Sequence, residues 1–320
     1  MSVSSPDSQT TVLYGIGEWF GRLFDSLTPD DRRDLLDAAT TPTRATLARC
    51  PFRPDNRCNK RGGVCSLTRY EITRASAGAE TGVRPIGELV TLCPERFLEN
   101  HLVYRWVAET LLDCAEPQIA TEVDFLRRPV EYQGADVSGM LSERPEAGVD
   151  RSVGRIDCVL VAPPSDEPMR WCALEAQAVY FSGASMSEDF RLMRGWAGPG
   201  IPPPSGRRRP DWRSSGPKRL MPQLQIKVPA LRRWGKKMAV VVDRSFFGSL
   251  SHMDPAHDVS NCDIAWFVVR YVKADGRARL QPDRIHLTTL ERAVEGLTAG
   301  IPLSQSEFEE RIRAKLATSG

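Results

Sequence analysis

Asp157 and the triplet Glu175-Ala176-Gln177 are the residues whose types and spacing best support chemistry. Each lies in a run rich in strand-forming residues, 153–161 and 171–180, and the Pro-rich stretch 163–168 between them has turn composition. Residues two apart on a strand share a face, so Glu175 and Gln177 point the same way. If the two strands pair, Asp157 reaches that face as well. Two converging carboxylates present hard oxygen ligands, which suit Mg²⁺. The backbone carbonyl of Ala176 could add another oxygen. A divalent ion held in this way supplies a hydroxide near neutral pH and offsets charge on a phosphodiester under attack. Gln177 can orient water through its amide but carries no positive charge. Glu99 and Glu109, from a preceding helix, are candidates for a further acid.

A second group is Cys50, Cys58, Cys65 and Cys93, spaced Cys-x7-Cys-x6-Cys-x27-Cys, with Gly62-Gly63 just before the third. Four thiolates in a reducing compartment can close a tetrahedral site for Zn²⁺ or Fe. Its role would be to fix a loop-rich segment with little core of its own. Cys114, Cys158, Cys172 and Cys262 fall in or beside expected helix or strand and read as core. The four histidines show no ligand spacing, and no Gly-rich phosphate loop precedes a Lys-Ser or Lys-Thr pair, which argues against NTP use.

The elements that must position these groups alternate between helix and strand, so the class is α/β. Residues 1 to about 10 are expected to be unstructured. Thr28-Pro29-Asp30-Asp31 starts a helix, with Leu35, Leu36 and Ala39 on one face. A long helix is expected from Pro94 to Asp113, striped by Phe97, Leu98, Leu102, Trp106 and Leu112. A strand at Glu122–Leu126 and a loop at Ser142–Asp150 precede the two strands that carry the acids. Gly198–Pro217 reads as a long surface loop. Pro217–Trp234 reads as a helix carrying Leu220, Leu224 and Leu231, broken or kinked at Pro222 and Pro229. Lys237–Asp243 and Asp263–Val269 read as buried central strands. Ser304-Gln305-Ser306-Glu307 opens a last helix. The chain divides at residue 92 into an N-terminal helical and four-cysteine metal-binding region, 1–92, and a catalytic and DNA-binding region, 93–320.

At 320 residues, 41% hydrophobic and 26% charged, the composition is that of an ordinary soluble protein. No apolar run reaches the roughly 20 residues a membrane helix needs. The first residues lack signal-peptide character, so a cytoplasmic location is expected. The net charge of +2 conceals an asymmetry. Between Ser205 and Lys237 there are eleven Lys/Arg and one acid, Asp211, against 32 basic and 40 acidic residues elsewhere. Such a block suits a polyanion.

Taken in order, these blocks resemble the NotI-type restriction endonucleases. The resemblance rests on Cys50-Pro51-Phe52 through Gly62-Gly63-Val64-Cys65-Ser66-Leu67, on Leu92-Cys93-Pro94-Glu95-Arg96-Phe97-Leu98-Glu99, and on Gly154-Arg155-Ile156-Asp157. It extends through Leu174-Glu175-Ala176-Gln177, Asp211 to Leu220, and Gly235-Lys236-Lys237. It implies a PD-(D/E)XK core, a mixed sheet flanked by helices, joined to a small four-cysteine metal-binding subdomain. It further implies Mg²⁺ at Asp157, Glu175 and Ala176, Gln177 as the family's residue at its position, and iron on the four cysteines, with zinc possible. The partners it implies are a GC-rich palindrome in double-stranded DNA, a second copy of the chain, and a DNA methyltransferase acting on the same site. Guanine is read in the major groove through O6 and N7. Arg213, Lys218 and Arg219 are the base-reading candidates, supported by Ser214 and Ser215. Arg207–Lys237 is the natural source of phosphate contacts, and Arg53, Arg57, Lys60 and Arg61 could embrace the outer part of a site. The residues alone leave two alternatives: a non-cleaving DNA-binding protein with a structural metal finger, and a structure-specific DNA repair nuclease.

Overall fold

Among the described residues a six-stranded and a four-stranded sheet, with one two-stranded pair beside them, carry the fold, and the acids sit on the six-stranded one. In the computed structural model, residues 9–40, 49–53, 57–58, 60, 62–74, 80–127, 152–163, 168–196, 198, 200–298 and 303–317 are described. The expectations for residues 1–8, for the 142–150 loop, for most of the 163–168 turn and for Arg61 lie outside them.

The larger sheet has six strands: β5 (Gln118–Arg127), β6 (Ser152–Val161), β7 (Trp171–Ala176), β10 (Met238–Asp243), β11 (Ile264–Ala274) and β12 (Arg277–Thr288). Their spatial order is β12-β11-β10-β7-β6-β5. β10 runs parallel to β7 and β11, while β6 and β12 are antiparallel to their neighbours, so the sheet is mixed. The run Met238-Ala239-Val240-Val241-Val242 is buried throughout because both faces of β10 are covered. Met238, Val240 and Val242 pack with Leu224, Val228 and Leu231 of helix α5 (Met221–Arg233) and with Ala293 and Leu297 of α7 (Leu290–Leu297). Ala239 and Val241 pack on the other face with Val103, Val107 and Leu112 of α2 (Leu102–Leu112).

The expectation of a helical N-terminal region is corrected. Helix α1 (Pro29–Thr40) forms where the Thr28 signal predicts it, but β1 (Gln9–Trp19), β2 (Arg22–Leu23), β3 (Val64–Arg74) and β4 (Glu80–Thr91) make an antiparallel sheet in the order β2-β1-β3-β4. Thr10, Thr11, Val12 and the alternating run from Val64 to Ile72 favour a half-buried pleated surface, and long-range pairing of β1 with β3 outweighs local helical spacing. The two sheets lock together around Thr91 and Arg96. The Thr91 N–H donates to Asp243 Oδ2 (2.6 Å), while Oδ1 of the same carboxylate caps the short helix α6 (Arg244–Phe247) by accepting the Phe246 N–H (2.7 Å). Arg96 donates to Glu18 Oε2 (2.8 Å), Glu99 Oε2 (3.0 Å) and the Ala278 carbonyl (2.8 Å).

The expected helix 94–113 is two pieces. A 3-10 segment, Pro94–His101, meets α2 at Asn100 and His101, whose φ angles of +51° and +55° break the helical path. The break lets Glu99 turn inward, where its Oε2 accepts the Leu280 N–H (2.6 Å). Pro222 causes no break, because it falls in the first turn of α5, where no intrahelical N–H is required. Pro229 stays within α5, held by the buried Leu224, Val228 and Leu231 around it. The expected loop 198–217 contains β9 (Arg208–Pro210), paired antiparallel with β8 (Phe181–Gly183). Helix α8 (Gln305–Ala317) follows its capping box, Ser304 and Glu307 exchanging hydrogen bonds. Among the described residues no helix is long and apolar enough to cross a membrane.

Candidate active site

Strand pairing brings Asp157 and Glu175 together. β6 and β7 are antiparallel with Cys158 opposite Leu174, so the next residues outward, Asp157 and Glu175, stand side by side. The Asp157 N–H lies 3.4 Å from Glu175 Oε1. Asp157 is exposed and opens onto a cleft of roughly 710 Å³, lined also by Arg53, Glu95, His101, Tyr104 and Ala176. Glu175 is 3% exposed and faces α5. Burial, and then the neighbouring Asp157 carboxylate, push the Glu175 carboxyl up to about 7, while Lys227 pulls it back.

Lys227 is a residue that strand periodicity does not reveal. It projects from α5, is 5% exposed, and donates to Glu175 Oε1 (2.6 Å) and Gln223 Oε1 (2.7 Å). The available signal was a lysine among Leu224, Val228 and Leu231 on an otherwise apolar helix face. Gln177 lies one residue past the end of β7. Its backbone N–H donates to Val241 and its side-chain amide to the Ala178 carbonyl (2.5 Å). Among the described residues no hydrogen bond joins it to either carboxylate. The two acids proposed from the preceding helix stand elsewhere. Glu99 is spent on Arg96 and Leu280 in the core, and Glu109 is exposed on α2. The acid from that stretch that does line the Asp157 cleft is Glu95, paired with Arg53 (3.0 Å).

Backbone contacts bring the stretches that carry the four cysteines near one another in pairs. A bridge between Arg49 and Arg57 sets the Cys50 and Cys58 stretches side by side. The Cys65 carbonyl accepts the N–H groups of both Leu92 (2.9 Å) and Cys93 (3.1 Å). Cys50 is within electrostatic reach of Cys58 and Cys93, and Cys65 of Cys93. Gly63 explains part of the motif: its φ is +68°, and a Cβ there would lie 2.1 Å from the Phe20 ring. Burial raises the Cys58, Cys65 and Cys93 thiols. Backbone N–H groups of Gly21 and Glu95 act in the opposite sense on Cys65 and Cys93. Among the described residues no three His, Cys, Asp or Glu side chains are placed so that they could hold a metal ion. Thiolates are of the donor type that a thiophilic metal takes, and two of the four sulfurs receive backbone N–H groups.

A model of the restriction endonuclease NotI family matches residues 34–281. The chain belongs to the NotI restriction endonuclease family. It is therefore a type II restriction endonuclease, a hydrolase that acts on double-stranded DNA at a specific site. No curated protein sequence matches it. The span shared with the NotI family contains both acids, all four cysteines and the basic block.

That block is less free than its composition suggests. Arg208 is buried against Asp189 of α3 (Met186–Arg194), and Lys227 against Glu175. Arg232 pairs with Asp263 and Glu291, and Lys237 donates to the Ser260 and Cys262 carbonyls. Arg207, Arg209, Arg213, Lys218 and Arg219 are exposed. The last three stand on a stiff segment, α4 (Trp212–Ser215) followed by a π-turn, Gly216–Leu220. Asp211 caps it by accepting the Ser214 N–H (2.9 Å) and hydroxyl (2.8 Å). Ser215 is fully buried; its hydroxyl donates to the Asp211 carbonyl and accepts the Tyr180 N–H, both at 2.8 Å, so its contribution is internal support. The Asp211 N–H returns to the Tyr180 carbonyl (2.6 Å), and the Arg219 guanidinium lies 3.6 Å from the Tyr180 ring centre. The segment with the DNA-binding candidates is thus tied to Tyr180, five residues beyond Glu175.

Proposed function

We propose that the chain is a Mg²⁺-dependent nuclease with a PD-(D/E)XK core that cleaves a GC-rich palindrome as a homodimer. The observation that carries the reading is the pairing of Asp157 with Glu175 on adjacent antiparallel strands, at the mouth of a cleft, in a NotI-family chain. Asp157, Glu175 and the Ala176 carbonyl would hold the ion; all are hard oxygen donors, which fit Mg²⁺. Bound there, the ion would supply hydroxide at neutral pH and charge compensation at the phosphate. Asp157 meets the cleft directly. Glu175 stands behind it, oriented by Lys227. Gln177 lies beyond the strand end and serves the site through its amide or through ordered water.

Recognition is assigned to Arg213, Lys218 and Arg219, with phosphate contacts from Arg207 and Arg209. Ser214 and Ser215 stiffen the segment that presents them. A palindrome requires identical readers in each half-site, which a twofold dimer supplies. Cys50, Cys58, Cys65 and Cys93 would hold iron, or zinc after overexpression, and fix the wall of the cleft bearing Arg53 and Glu95. A methyltransferase protecting the same site is the expected companion, and the cytoplasm the expected compartment. Digestion of a sequenced GC-rich genome with Mg²⁺, with all ends mapped, tests the proposal. Fixed ends within one palindromic motif are expected; absent or random cleavage would defeat it.

A further inference from the structure

Lys227 is a charge in an expensive place. Its helix face is otherwise Leu224, Val228 and Leu231, all fully buried, and a cation there loses its water. A purely hydrophobic residue would pack that face at lower cost. The ammonium instead reaches the point where adjacent strands β6 and β7 bring Asp157 and Glu175 together. It takes a single oxygen of Glu175, Oε1 (2.6 Å), and a second tether from Gln223 fixes its position (2.7 Å). Oε1 also faces the Asp157 N–H, and the Asp157 carboxylate lies beside the same carboxyl group. The carboxyl group is thereby held in place next to Asp157, which lines the cleft. On β7 itself no side chain does this, since Gln177 turns to the Ala178 carbonyl.

We propose that Lys227 is a positioning residue for phosphodiester hydrolysis: from the helix behind the sheet it anchors Glu175 beside Asp157, so that the two carboxylates would together hold a divalent ion. This rests on the reading of Asp157 and Glu175 as the nuclease centre. It places the site's cation on α5 and relieves the strand position of that task.

The test is single-turnover cleavage, across a Mg²⁺ titration, of a plasmid that the wild-type protein cuts to fixed fragments. Lys227→Met keeps the aliphatic stem. It is expected to lower the rate about 10–100-fold and raise the Mg²⁺ concentration giving half-maximal rate, the usual effect of losing a group that orients a metal ligand. Duplex affinity, measured in Ca²⁺, should stay within about threefold, the cost being in orientation and not in DNA binding. Gln177→Lys introduced into Lys227→Met should restore at least about a tenth of the lost rate by returning a cation to the same face. A purely structural lysine would not be replaced in this way. If thermal melting shows that Lys227→Met does not fold, Lys227→Arg answers the question. Its forked guanidinium keeps the charge but cannot place one compact donor on Oε1, so a loss of about tenfold is expected. Wild-type rate and Mg²⁺ dependence in the folded variant overturn the inference, as does failure of Gln177→Lys to restore any rate. Absence of Mg²⁺-dependent cutting by the wild type overturns the nuclease-centre reading instead.

Discussion

Replacing Arg96 by Met should destabilise the protein severely. Arg96 is fully buried and joins the two sheets, binding Glu18 from β1, Glu99 from the 3-10 segment and the Ala278 carbonyl from β12, with Phe52 and Tyr271 rings over its guanidinium. The side chain of Glu18 is wholly buried and that of Glu99 nearly so. Met fills the volume but leaves two carboxylates without their cation. Breaking a buried pair by removing one partner costs about 3–5 kcal/mol. Against a total stability of about 5–15 kcal/mol that is a large share. At about 2–4 °C per kcal/mol, the expected fall in Tm is on the order of 10 °C. Urea and thermal unfolding at pH 8 measure it. Burial already holds the Glu18 carboxyl above its usual range, so without Arg96 it takes up a proton readily and the deficit should narrow as pH falls. Adding Glu18→Gln to Arg96→Met should recover part of the loss. A loss below about 1 kcal/mol, or full additivity of the two changes, would refute this account of the junction.

Glu175 gives a pH prediction for the metal-free protein. Its folded carboxyl is raised to about 7 from 4.5, so the folded state binds the extra proton between those values and stability falls as pH rises through that window. Glu175→Gln should remove a slope worth about 3 kcal/mol in all, read from Tm between pH 4.5 and 8 in EDTA. Arg213→Ala, Lys218→Ala and Arg219→Ala should each lower the salt slope of duplex binding by about one if they contact phosphate, or relax base preference at one position if they read guanine, as a binding series against salt and sequence would distinguish. Cys58→Ser should lower the bound iron or zinc per chain below that of the wild type by elemental analysis and lower Tm; undiminished metal content would exclude Cys58 as a ligand.

How much of this was legible in the residues depended on range. β10 was readable because five successive apolar residues buried on both faces admit few alternatives. Asp157 and Glu175 were readable as neighbours because a short turn between two strands implies antiparallel pairing. The N-terminal sheet was not, because β1 pairs with β3 across a long separation, from Gln9 with Arg74 to Trp19 with Val64, and local spacing carries no trace of that. The break at Asn100 and His101 was hidden for a similar reason: it accompanies the contact of Glu99 with Leu280, 181 residues away. Lys227 escaped because its function depends on which strand lies beneath α5. The basic block was overread, since Arg208, Lys227 and Arg232 find acids that only the fold brings near.

The central claim is that Asp157 and Glu175 together form the metal-dependent cutting centre. Purified Asp157→Asn, Glu175→Ala and the double variant should bind duplex DNA as the wild type does, yet leave it intact when Mg²⁺ is added. Mg²⁺-dependent cleavage by the folded double variant at a rate near that of the wild type would contradict it.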